Sequence, residues 1–457
     1  MLRTNPLLNW HQQAEAMLIP YGPAPVDHPQ SGEGGPGSAS AAPAKPAQEP
    51  IPLVATYGEL ELEYAAIRKA CMLLDQPQRA TLELTGPDRL AFLNRMLTQE
   101  LKGMRPFDVR RAFWLNRQGR IDADLRVIDL PSRTLLDVDA FALDRTLAGL
   151  SKYVVMDDVR LRDASGEHHR VALHGPTSLA LLQALCGVDV GLGADASGPP
   201  LNELEPGRAA AVQLCGQQVI IDRDDSTGSP GYELLVPTSG LVSVFARLVE
   251  TGLDPHGSTP EALRAGVTRT FGSTIKLRPG GWFAYNIARV EAGRALYYVD
   301  FGPTSLAAET GVFDDRVSLT KGCYLGQEVV ARLHARGKPK QQLVALGFDV
   351  DAQASEGELD VLQPVTGAAV LATSVSKGGE GSAGGEQPVV VGAVTSSIIS
   401  PMRGSRPVCF AQVKFDYTRP GTKLLVEVQN GPRLRLAPEG RLEGVVLPSL
   451  RTLGGRG

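Results

Sequence analysis

At 457 residues, with 43% hydrophobic and 21% charged residues, the chain is long enough for two or three ordinary cores and has a globular balance. A formal net charge of −4 argues against a general nucleic-acid binder, which carries a strongly basic face. Apolar runs such as Ala209-Ala210-Ala211-Val212 and Val389-Val390-Val391 are far too short to cross a bilayer. Met1 to Trp10 hold no continuous apolar segment, so no secretory signal, no membrane partner and a cytoplasmic location are expected.

In chain order, Leu7 to Leu18 is a short amphipathic helix candidate ended by Pro20 and Gly22. Residues 31–50 are rich in Gly, Pro, Ala and Ser and bury too little to offset their ordering entropy, so 1–50 is expected to be an extension and flexible linker. Globular sequence begins at Ile51. Glu61 to Leu74 has helical apolar spacing, and Thr81 to Thr85 alternates as a strand. Gly86-Pro87-Asp88 then leads into a helix carrying Leu90, Leu93 and Leu97, with proline favoured at the first helical position. The same strand, Gly-Pro, helix order returns at Arg170–His174, Gly175-Pro176 and Leu179 to Leu185. Two copies leave internal duplication and coincidence both open.

Between the copies, strands are expected at Arg111–Trp114, Ile121–Ile128 and Thr134–Val138, with a turn centred on Gly119 and a helix over Phe141–Leu150. On the second of these strands Asp122, Asp124 and Arg126 share one face, and Ile121, Ala123, Leu125 and Val127 the other. Past the second Gly-Pro helix come a loop at 191–200, strands near Ala211–Leu214, Gln218–Ile221 and Gly231–Val236, and a helix over Leu241–Val249. From Leu343 short β-rich runs split by turns and a polar insert at 377–387 read as a small all-β unit, with strands at Val391–Ile399 and Val408–Phe415.

The chemistry-bearing stretch is Lys321-Gly322-Cys323-Tyr324-Leu325-Gly326-Gln327-Glu328. Five widely spaced cysteines with no Cys-x-x-Cys pair fit neither a disulfide framework nor a metal site. Four lie in apolar runs and read as small buried hydrophobes. Cys323 instead sits between glycines, with Lys321, Arg332, His334, Arg336, Lys338 and Lys340 around it and a helix opening behind. Positive charge and a helix N-terminus both favour a thiolate, so Cys323 is a candidate activated thiol; an inert cysteine is the alternative. The basic run 332–340 is ordinarily a solvated face, or else a dock for an acidic protein or a carrier RNA. His168-His169 reads as solvated surface. Asp122, Asp124 and Glu233 must each face solvent or meet a donor, and pattern alone favours solvent.

The stretch Leu319 to Arg332 resembles the signature of the YgfZ-type folate-binding proteins, a branch of the aminomethyltransferase (glycine-cleavage T-protein, GcvT-like) superfamily that serves iron–sulfur cluster assembly or repair. Arg289-Val290-Glu291-Ala292-Gly293, Ala307-Ala308-Glu309-Thr310-Gly311 and Gly392-Ala393-Val394-Thr395-Ser396 with Ser400-Pro401 resemble further superfamily segments. The resemblance implies an α+β fold: a three-domain cloverleaf around a central folate cavity, with a C-terminal all-β barrel. The expected divisions are a folate-binding region over 51–338, a barrel over 339–448 and a tail over 449–457.

The resemblance further implies tetrahydrofolate or a derivative as ligand, held by Glu233 at the pterin and by Asp124, with Asp122, Arg289 and Tyr324 as additional folate-binding candidates. Cys323 and Lys321 are the candidate catalytic pair. The implied partners are iron–sulfur enzymes or cluster-assembly proteins, with no stably bound metal. The T-protein pattern is not intact. Ala123 replaces the first aspartate of its Asp-Asp-Leu segment, Asp122 falls one residue early, and Tyr285 stands where an arginine is expected. These departures favour a folate-binding helper over the alternative, a folate-dependent aminomethyl or one-carbon transferase.

Overall fold

The computed structural model describes residues 5–22, 49–186, 197–252, 276–349, 363–373, 388–428 and 441–451. Most of the expected linker, the 377–387 insert, part of the 191–200 loop and most of the expected tail lie outside the described residues.

Two sheets and a barrel organise the chain. The first sheet runs Val109–Leu115, Ile121–Asp129, Arg133–Asp139, Arg79–Thr85, Arg160–Asp163 in spatial order. The second runs Ala209–Leu214, Gln217–Arg223, Gly231–Pro237, His168–His174, Cys71–Asp75, Leu277–Gly280, with only the last pair parallel. In each sheet three consecutive antiparallel strands end beside a fourth strand that precedes them in sequence and feeds a Gly-Pro turn and a helix, Arg89–Met96 or Ser178–Cys186. Each set also closes on a helix, Leu143–Ser151 or Leu241–Gly252. The repeated motif therefore occupies equivalent places in two similarly wound units. Its glycines are required. Gly86 and Gly175 have φ of +105° and +135°, and a Cβ would lie 2.0 Å from the Asp158 carbonyl oxygen or 2.2 Å from that of Ala70.

The alternation read on Ile121–Ile128 holds in the observed strand Ile121–Asp129, with Ile121, Ala123, Leu125 and Val127 all buried in the first sheet's core. One expected helix is too long. Leu60–Lys69 is helical, but Cys71–Asp75 is a fully buried strand inside the second sheet. A short apolar run fits helical and strand spacing alike, and tertiary pairing decides. Leu8–Gln13 is likewise the only helical part of the first expected helix; Met17–Tyr21 is a strand antiparallel to Ile51–Thr56.

The C-terminal strands close a six-stranded antiparallel barrel in the order Gln341–Phe348, Arg406–Lys414, Pro388–Ser400, Ala369–Thr373, Lys423–Glu427, Arg441–Val446, the last pairing back onto the first. Closure leaves no free sheet edge. Among the described residues no helix is long and apolar enough to cross a membrane.

Two surface expectations fail. Cys215 is exposed at a tight turn between strands with φ +51°, not buried in an apolar run. His169 is not solvated but lies 2.5 Å from Asp75, and Asp75 also accepts from Asn5 at 2.6 Å and meets His11 at 2.9 Å. This buried cluster pins the N-terminal helix to the second sheet. Burial alone would raise the Asp75 pKa, but His169 and His11 hold it well below the usual carboxylate range. Its contribution to stability is therefore complete above about pH 4 and is lost as pH falls further. Asp75→Ala should cost about 3–5 kcal/mol in urea unfolding at pH 7 and speed amide exchange in the Leu8–Tyr21 segment; an unchanged exchange rate there would refute the pinning role.

Candidate functional site

A cavity lies where the two sheets, the helix Trp282–Glu291 and the N-terminal strand meet, with an empty volume of about 920 Å³ counting open solvent at its mouth. Its wall includes Asp124, Leu125 and Arg126 from the first sheet, Glu233 and Asp224 from the second, Trp282 and Tyr285 from the helix, Arg316, and Tyr21.

Behind that wall the sheets are joined by buried charge. Arg126 donates to Asp222 at 2.6 Å and to Asp224 at 2.9 Å. Arg170 lies 3.3 Å from both Asp137 and Asp222, and Arg79 grips Asp137 with two hydrogen bonds of 3.1 and 2.9 Å. Arg111 also donates to Asp224. Burial would raise the pKa of Asp137 and of Asp224; the facing guanidiniums outweigh it and hold both well below the usual range.

Glu233 stands at the edge of this network and does not share in it. It is 2% exposed, yet Arg126 and Arg170 approach its oxygens only to 3.9 and 4.0 Å. Gln76 donates to Oε1 at 3.3 Å, and Oε2 has no hydrogen-bond partner. Burial therefore prevails over the two arginines, and the carboxyl is pushed up to about 7. The solvent-facing expectation for Glu233 is overturned; the cavity-facing one implied by the resemblance agrees with its placement.

Asp124 also lines the cavity, held by Arg316 at 2.9 Å from Nε and 3.4 Å from Nη2. Arg316 is buried, its Nη1 has no hydrogen-bond partner, and burial lowers its pKa. Asp122, two residues away on the same strand face, does not line the cavity. It lies 3.9 Å from Arg145, accepts from Asn116 at 3.4 Å, and burial raises its pKa.

Arg289 and Tyr324 are placed elsewhere too. Arg289 is fully buried and donates to Asn286, to the Arg294 carbonyl, to Asp300 at 2.7 Å and to Ser396 at 2.6 Å, tying its helix to the barrel. Almost all its donors are used, and it is not in the cavity wall. Tyr324 packs on the first sheet's core, where burial raises its pKa to about 12.

Cys323 and Lys321 do not line the cavity. Cys323 is exposed just ahead of the helix Gln327–Arg336, as its flanks imply. Of its two glycines only one is needed: Gly326 has φ +81° and a Cβ there would meet the Asn116 carbonyl oxygen at 2.8 Å, whereas Gly322 has open space around it. Lys321 points away into the protein. Its ammonium donates to the carbonyls of Asn94, Leu97 and Gln99 at 2.6, 2.6 and 2.9 Å, gathering the end of the helix Arg89–Met96. All three of its protons are engaged, and burial brings its pKa down to about 8.

Sequence reasoning missed Tyr21, Arg316 and Asp139. Tyr21 donates to Asp139 inside the cavity, with its ring 6.0 Å from Phe141 and 6.4 Å from Trp282. Burial pushes Asp139 up to about 6, against the Tyr21 hydrogen bond and the charge of Arg79. Nothing in the short segment around Tyr21 signals that it enters a cavity built mainly by residues far along the chain.

Residues 53–271 match the family model of the GCVT N-terminal domain. The chain is 25% identical over 239 residues to the aminomethyltransferase of Bacillus subtilis, covering 52% of this chain and 62% of that protein, less than two thirds of its length. It is 26% identical over 369 residues to the aminomethyltransferase of Cutibacterium acnes, covering 80% and 85% of the two chains. The crystal structure of glycine cleavage system aminomethyltransferase T from Bartonella henselae superposes with a TM-score of 0.69 at 19% identity over 98% of this chain and 97% of that one. The fold is thus GcvT-like, with mixed helices and sheets and a closed C-terminal barrel.

Two substitutions test these placements. Because folding raises the Glu233 pKa from 4.5 to about 7, the charged form opposes folding, and that cost grows as pH rises through this window. Glu233→Gln should therefore stabilise the free protein at pH 8 by on the order of 3 kcal/mol, with the gain fading toward pH 4 in thermal melts. Lys321→Met should lower urea stability by about 2–3 kcal/mol, since it strands three carbonyls; an unchanged midpoint would argue against a structural clamp.

Proposed function

We propose that this chain, GcvT-like and of the aminomethyltransferase superfamily, binds a reduced folate in the central cavity with the pterin on Glu233. One observation carries this: a carboxylate oxygen, buried and without a hydrogen-bond partner, at the wall of the cavity between the two sheets. A pterin presents a 2-amino group and a ring N–H side by side, two donors that match the two oxygens of one carboxylate. Trp282 and Tyr285 add aromatic surface against which a flat ring packs. Arg316 Nη1 and Arg126 Nε, near Asp315 and Asp137 but hydrogen-bonded to neither, supply buried donors for acceptor atoms on the same ligand.

The bound folate serves support of iron–sulfur proteins rather than one-carbon transfer, with Cys323 as the reactive group. Two features support this. Asp124, the carboxylate best placed to assist transfer, is already engaged by Arg316, and the signature thiol is exposed on a loop outside the cavity, where another protein reaches it. Lys321 positions that loop. The second reading, folate-dependent aminomethyl transfer, is favoured by the names of the curated relatives and by the presence of Asp124 at the cavity wall.

Glu233→Ala should weaken binding of a stable reduced folate by about ten- to a hundredfold in calorimetry. Donors to the carboxylate favour its charged form, so wild-type affinity should fall as pH drops below about 7. Affinity unaffected by both changes would sink the folate assignment. Cys323→Ala should leave folate affinity intact yet lower the activity of cluster-dependent enzymes when it replaces wild type in cells. Full rescue by Cys323→Ala, together with folate turnover in the presence of glycine-cleavage partners, would decide for the transferase.

A further inference from the structure

A second concavity shares no lining residue with the first. It lies between the Asn116–Arg120 turn, the segment 304–309, the helix Gln327–Arg336 and the start of the barrel, with an empty volume of about 1000 Å³ counting open solvent. Four cations line it: Arg120, Arg332, Lys338 and Lys340. They come from two places more than 200 residues apart in sequence, and only the fold brings them together. The turn and the helix are in direct contact, since a Cβ on Gly119 would lie 2.7 Å from Val329.

The charge in this cleft is only partly balanced from within, by Glu309 acting on Arg120 and Lys340. Its single lining carboxylate, Glu309, is 3% exposed and turned inward, accepting the Leu306 N–H at 2.8 Å. Arg332, Lys338 and Lys340 form no ion pair among the described residues. Arg120 is oriented by its donation to the Thr304 carbonyl, which fixes the guanidinium at the cleft. Like charges gathered in a concavity with low-dielectric walls focus a positive potential and repel one another until a counter-charge enters. Leu306, Val329, Leu333 and Pro339 complete the lining and offer apolar surface beside the charges.

We propose that this cleft binds a small polyanion on an apolar or flat carbon skeleton, a phosphate ester or a polycarboxylate, through Arg120, Arg332, Lys338 and Lys340. Guanidinium forks match the paired oxygens of phosphate and carboxylate, and the lysines add point charge that follows whichever group is bound. A small ligand fits better than an extended strand of nucleic acid or an acidic protein face, because the cations line a cleft with an apolar floor and not an open stripe. The helix Gln327–Arg336 forms one wall and Cys323 lies just before its first turn, so occupancy bears on the loop that presents the thiol. The site does not depend on the folate assignment.

The test is calorimetric titration of the full chain with ATP, pyrophosphate and citrate at about 0.15 M salt, where long-range surface attraction is largely screened. Saturable binding of at least one is expected; ATP or pyrophosphate alone identifies phosphate chemistry, citrate alone a polycarboxylate. The double variant Arg332→Gln/Lys340→Gln removes exposed side chains without ion-pair partners, so its melting temperature should hold while affinity falls about tenfold or more. Lys152→Gln, an exposed lysine outside the cleft, should leave affinity unchanged. Binding of none of the three anions, equal binding by the double variant, or binding only of an oligoglutamate peptide would overturn the proposal.

Discussion

The seam between the two sheets is a lattice of buried charge, and the cavity exists because of how that lattice is balanced. Arg79, Arg126 and Arg170 alternate with Asp137, Asp222 and Asp224 across the two sheets, every aspartate facing at least two guanidiniums. Removing one partner from such a set leaves an uncompensated charge out of water, a loss of several kcal/mol. The relative position of the sheets is thereby fixed more sharply than apolar packing alone would fix it. An apolar patch from Phe107, Val109 and Leu135 on one side to Ala209, Ile220 and Leu235 on the other fills the rest of the interface.

With the aspartates satisfied, Glu233 is left over. It is near enough to Arg126 and Arg170 to feel their charge but too far to accept from either, and its remaining neighbours Asp222 and Asp224 raise its pKa further. A carboxyl in that condition is costly in the free protein, and a ligand bringing donors, as proposed above, would relieve it.

The thiol loop and the cavity are separate devices joined by shared scaffolding. Lys321 and Gly326 hold the loop to the first sheet's unit through helix-end carbonyls and the Asn116–Arg120 turn. Arg316, a few residues upstream, reaches the other way into the cavity to hold Asp124. A single stretch, 313–336, thus connects the cavity wall, the exposed thiol and the cationic cleft.

The sequence by itself determined the strand alternation, the paired Gly-Pro units and the all-β ending, because each rests on local periodicity or on backbone conformations few residues adopt; the polar, glycine-flanked setting of Cys323 favoured its exposure without deciding it. It also carried Glu233 and Asp124, through motif resemblance and not through pattern, which favoured solvent. Only the tertiary structure decided the roles of the charged residues. Arg289 and Lys321 look like site residues in one dimension, yet nearly all their donors are taken by Asn286, Asp300, Ser396 and four backbone carbonyls, several of them on segments far along the chain. Tyr21, Arg316 and Arg120 were illegible for the complementary reason. A charge or hydroxyl becomes a site residue only through partners and burial, and those are set by contacts between segments hundreds of residues apart.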